Sequence, residues 1–178
     1  MKRAFISLIV FFVGVCIGYS QEKDVYSDYV GTWKWSEPQT QSELTVVLKR
    51  GQADWTRYKK GIKPCIIGAY ELKKNGVALV NNLNELSEEK RYSAYPIVLL
   101  GNENYMRIYV DDYTIKNGDG SYKSMQGSSH VALIKEGDGF KLKWVIVDDG
   151  NEGAHWDENL TYPDGTALPT DIILTKVE

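Results

Sequence analysis

Two-residue alternation of apolar and polar side chains, renewed in one short run after another, limits this chain more than any other feature. Between Glu43 and Arg50, Leu44, Val46 and Leu48 stand on one face and Thr45, Val47 and Lys49 on the other. Ile66, Gly68, Tyr70 and Leu72 share a face between Cys65 and Lys74, as do Met106, Ile108 and Val110 between Tyr105 and Asp111. Phe140, Leu142, Trp144 and Ile146 repeat the pattern near the end. Successive side chains on a strand point to opposite sides, so each run predicts a strand with one face in a core.

Shorter runs complete the set at Tyr29–Ser36, Val77–Val80, Tyr95–Leu100, His130–Lys135 and Asp171–Val177. Asn75-Gly76 predicts a tight hairpin, because a type I′ turn needs positive φ at both central residues. Only Asn81–Arg91 looks helical, and it is too short for more than one or two turns. Eight to ten short strands without a long helix predict an all-β fold, an antiparallel lipocalin-like barrel, with a β-sandwich as the alternative. Gly51–Asp54 and Asp112–Gly127 read as polar turn and loop, and Trp55–Pro64 as an irregular strand or a mouth loop. Asp148–Pro169 is a long acidic connection, of a length uncommon unless functional or mobile.

Residues 1–20 carry Lys2 and Arg3, then the apolar run Ala4–Ile17, then Gly18-Tyr19-Ser20. This order predicts a secretory signal peptide cut after Ser20, which leaves 158 of the 178 residues as a single domain, 21–178, in the periplasm or outside the cell. The apolar run is short of the roughly 20 residues that cross a membrane, so no integral membrane protein is expected. Acylation at Cys16 fits poorly, with Val13, Gly14 and Val15 before it. Loss of the leader moves the formal charge from −3 to −5, against a nucleic-acid partner. Cys65 is then the sole cysteine, read as a buried thiol on a strand.

Gly31-Thr32-Trp33 places a residue without a side chain two positions before the largest one, both on one face of the first strand. This resembles the Gly-x-Trp of the first lipocalin strand, where the tryptophan fills the bottom of the barrel. Asp112-Tyr113 resembles the family's second motif, with Asp111 in place of its threonine. The arginine that covers the tryptophan in lipocalins is missing, since the chain has none after Arg107, and Lys176 is the candidate for its role. As a whole the chain resembles a small secreted lipocalin-like family of unknown function from Bacteroidota, a resemblance that implies a barrel and no assigned activity.

The chemistry available is sparse. His155, within Glu152–Glu158, is the best candidate for a metal ligand or base, yet no second histidine sits at ligand spacing; His130 reads as structural. Asn117–Ser121 departs from a calcium loop at Tyr122 and reads as turn chemistry. With no nucleophile elbow or phosphate loop, neither enzyme activity nor a cofactor or metal is expected. The first expectation is a barrel holding a small apolar ligand, lined by Trp33, Tyr70, Met106, Ile108, Leu142 and Trp144. The second is an envelope interaction or inhibitor module whose loops 55–64 and 148–169 bind a protein or glycan. An enzyme centred on His155 ranks third.

Overall fold

A computed structural model describes residues 24–54, 61–87, 95–102, 105–125, 129–147 and 165–177. Ten strands are present in them: β1 (Gly31–Glu37), β2 (Ser42–Asp54), β3 (Ile62–Lys74), β4 (Val77–Asn81), β5 (Ile97–Asn102), β6 (Tyr105–Lys116), β7 (Tyr122–Met125), β8 (His130–Glu136), β9 (Gly139–Val145) and β10 (Asp171–Lys176). Eight close a barrel of antiparallel neighbours in the order β1, β2, β3, β5, β6, β8, β9, β10, the last returning to the first through Trp33↔Lys176 and Lys34↔Thr175. The fold is therefore the barrel and not the sandwich. The other two strands lie outside the ring, β4 on the far half of β3 and β7 on the far half of β6. Among the described residues no helix is long and apolar enough to cross a membrane.

Alternation decides the inward faces. Leu44, Val46 and Leu48 of β2, Ile66, Tyr70 and Leu72 of β3, and Met106, Ile108 and Val110 of β6 are all buried in one core with Leu142 and Trp144 of β9. Gly68 faces the same way, and a Cβ there would lie 2.7 Å from Leu48 Cδ2 and 3.0 Å from the Val47 carbonyl. Its neighbours close over it because it has no side chain. Asn75 and Gly76 carry φ of 52° and 74°, so the hairpin between β3 and β4 forms as its residues require.

Three segments depart from the sequence reading. Gly51–Asp54 does not turn but continues β2 against β3, from Gly51↔Cys65 to Asp54↔Ile62. Pro64 sits in this ladder because its missing N–H would face the edge of β3 where β5 no longer runs; there its carbonyl accepts a bond from the Tyr26 hydroxyl at 3.2 Å. Asp112–Lys116, read as loop, is the outer half of β6, and β7 pairs with it across the turn Asn117–Ser121. Polar side chains suit this hairpin, which projects beyond the ring. Cys65–Tyr70 is buried on both faces, since Cys65, Ile67, Tyr95 and Val98 form a second, outer cluster with Leu86 and Tyr109 packed on it.

Helical structure in the described part of Asn81–Arg91 is a 3₁₀ segment, Leu83–Ser87. Just before it, Asn82 bridges the point where β3 changes neighbour from β4 to β5. Its N–H donates to the Tyr70 carbonyl at 3.2 Å, and its Oδ1 accepts from the Tyr70 N–H at 2.7 Å. One residue, through its backbone N–H and its side-chain oxygen, thus does the work of a missing strand residue.

Candidate functional site

The base of the barrel is the end at which β1 begins. Gly31 opens the strand with φ of 138°, a conformation that disfavours any side chain, so glycine serves the backbone here as well as leaving room. Trp33 is fully buried, and its indole N–H donates to the Tyr29 carbonyl at 2.8 Å, which holds the preceding turn and the buried Tyr29 across the opening. Lys176 reaches over the same ring, its Nζ 5.3 Å from the ring centroid and donating to the Asp28 carbonyl at 3.3 Å. It covers Trp33 with a cation, the role for which the lipocalin resemblance leaves Lys176 as the candidate.

Tyr70, Met106, Ile108, Leu142 and Trp144 join Trp33 in one core, each 0% or 1% exposed. At that level these side chains present almost none of their surface to solvent. Their polar atoms are also engaged. The Trp144 N–H donates to the Pro169 carbonyl at 3.1 Å. The Tyr70 hydroxyl donates to the Asp111 carbonyl and accepts from the Tyr113 N–H, both at 3.0 Å.

At the top, residues 165–170 cross from the end of β6 to the start of β10, and Leu168 enters the core. Asp112 fastens this crossing. Its fully buried carboxylate accepts from the Thr114 N–H at 2.8 Å and hydroxyl at 2.5 Å, and from the Thr166 hydroxyl. The Ala167 N–H donates to the Thr114 hydroxyl at 3.2 Å, and the Ile146 N–H to the Thr170 carbonyl at 2.7 Å. Beside it, Tyr113 stacks on Tyr122 with centroids 4.2 Å apart and donates to Glu85 at 3.4 Å. Burial raises the Tyr70 and Tyr113 hydroxyls above the ordinary tyrosine range and the Asp111 carboxyl above the carboxylate range. Burial likewise pushes the Cys65 thiol up to about 11, which keeps it protonated and inert.

The side wall carries a cleft. β1 and β10 pair only at Trp33↔Lys176 and Lys34↔Thr175 before they separate toward the top. Above that point lies a cavity of about 500 Å³ lined by Lys34, Trp35, Ser36, Glu43, Thr45, Ile173 and Thr175, with Leu44 buried behind. Sequence reasoning missed it because every lining residue belongs to an ordinary alternating strand.

Among the described residues, no three of His, Cys, Asp or Glu are grouped to hold a metal ion. His130 opens β8, where it stands opposite Arg107 and Val145. His155 with its acidic neighbours, most of Asp148–Pro169, Trp55–Lys60 and the leader lie outside the described residues.

Fold and core together define a closed, eight-stranded antiparallel β-barrel with two outer strands. The chain belongs to a family of unknown function, DUF6705, whose family model matches residues 1–177. Neither the curated proteins nor the solved structures hold a match to it.

Proposed function

We propose that this is an exported, lipocalin-like, non-enzymatic binding module that meets its partner in the cell envelope with the outside of the barrel, not a carrier with cargo within. One observation carries the reading: the six interior residues that would line a calyx have at most 1% of their surface free. An apolar ligand site of ordinary size has about 300 Å³ or more to fill. Here Trp33 at the base and Trp144 toward the top share one core with aliphatic side chains, and their N–H groups are bound to backbone carbonyls. The groups that could do chemistry are used in the same structural way, the Cys65 thiol buried and the Tyr70 hydroxyl tied into β6. The partner's contact surface is then the rim, the loops or the side wall. Export follows from the order of charges and apolar residues in residues 1–20.

Native mass spectrometry of the processed protein, purified gently from its own host and then extracted with organic solvent, tests this. A bare polypeptide mass is the expected result. A discrete apolar adduct that leaves on extraction would overturn the outer-surface reading and restore the carrier.

A further inference from the structure

The gap in the barrel wall has a feature that a simple surface dent lacks. In an antiparallel pair, alternate residues turn their N–H and C=O groups to the same neighbour. The Val177 N–H donates to the Thr32 carbonyl at 2.9 Å, so even-numbered residues of β1 and odd-numbered residues of β10 face each other. Lys34 and Thr175 are the next such pair, and the ladder stops there. The following rung would join Ser36 to Ile173. Among the described residues nothing pairs with the inner edges of these two residues, and both line the 500 Å³ cleft.

Two N–H and two C=O groups therefore face a cavity from opposite strand edges. We propose that this cleft is a docking site for an extended peptide segment of a partner protein, added as a strand between β1 and β10. The inference rests on the outer-surface reading above and names the site and the partner's chemistry. Unpaired strand edges are templates for another extended backbone, and a cavity of this volume lies within the range of about 300–1,000 Å³ used by bound ligands. Small ligands with few backbone-like groups would leave the rung open; a strand satisfies all of it.

The lining also sets the peptide's pattern. A strand in the plane of the wall points alternate residues inward and outward. Inward it meets Trp35, half-buried and packed on the core, with Leu44 behind. Outward it meets Lys34, Glu43, Thr45 and Thr175, polar groups with both signs of charge, beside the exposed Ile173. The segment that fits alternates apolar and polar residues.

To test this, the chain beginning at Gln21 is screened against random linear seven-residue peptides displayed on phage, and enriched sequences are synthesised. Alternating apolar and polar peptides are expected. Binding should slow hydrogen exchange at the Ser36 and Ile173 amides, and methylating the peptide's amides at every second position, in one of the two phases, should weaken it at least tenfold. Ser36→Pro removes a donor from the cleft without cutting a β1–β2 bond, since Ser36 turns its backbone groups away from β2; it should weaken binding at least tenfold. Ile173→Glu, at a side chain 46% exposed, provides a second variant with little demand on folding and the same expected loss. No enriched peptide, or peptides unaffected by these changes whose protection maps elsewhere, would overturn the cleft assignment. Such a failure is distinct from failure of the outer-surface reading, which appears only as an apolar adduct in the mass spectrum.

Discussion

Removing the Asp112 carboxylate should loosen the top of the barrel by an amount that can be worked from its contacts. It accepts three hydrogen bonds, from the Thr114 N–H, the Thr114 hydroxyl and the Thr166 hydroxyl. Bonds to a charged acceptor contribute about 1.5–3 kcal/mol each, about 4.5–9 kcal/mol for three. Against it stands the desolvation of a carboxylate that is 0% exposed, a cost of several kcal/mol that the variant no longer bears. Asp112→Ala should therefore lose a net of about 3 kcal/mol, which at this size lowers Tm by about 6–12 °C. Asp112→Asn retains the shape and an acceptor for Thr114, and should lose about 1–2 kcal/mol. The assay is urea unfolding followed by tryptophan fluorescence, together with hydrogen exchange at Ala167 and Leu168. Their protection should fall more than that of β2 and β3, and a double-mutant cycle with Thr166→Val should show coupling. An Asp112→Ala variant within about 0.5 kcal/mol of the parent, or strict additivity with Thr166→Val, would refute the latch.

Lys176→Met should lose about 1–2 kcal/mol in urea unfolding, from the contact with the Trp33 ring and the bond to Asp28, while Lys176→Arg should lose less. Cys65, with its thiol raised to about 11, should resist Ellman's reagent at pH 8 in the folded protein and react fully in denaturant. Asp111 has a folded pKa above its unfolded value, chiefly through burial, with a bond involving Ser124 opposing and Glu85 adding to the rise. The stability it contributes is present below about pH 4 and is lost as pH rises through the folded pKa. Asp111→Asn should consequently gain stability on the parent at pH 7 relative to pH 3.5 in paired urea titrations.

Much of the barrel was legible because alternation is local. Tyr70, Met106, Ile108, Leu142 and Trp144 were assigned inward by counting in twos, and the structure puts all of them in the core. The Asn75-Gly76 hairpin followed from the backbone angles those residues tolerate. Asp112–Lys116 and Tyr122–Met125 were not legible as strands, since outside the ring neither face needs an apolar stripe. Gly51–Asp54 was misread for a related reason: glycine and polar residues signal a turn, while their pairing with Asp54↔Ile62 and its neighbours depends on a strand elsewhere in the chain. The cleft left no local signal either, because it consists of a rung that does not form.

The sequence by itself therefore determined an all-β chain, its inward faces and its principal tight turn. Each of these follows from residues a few positions apart or from a single side chain's needs. Tertiary structure alone decided that the ring closes, that its inward side chains meet in one buried core and that β1 and β10 part above Lys34. It also joined Asp112 to Thr166, 54 residues away. Those outcomes depend on how strands from distant parts of the chain share one volume, and packing of that kind is a property of the assembled wall, not of any segment within it.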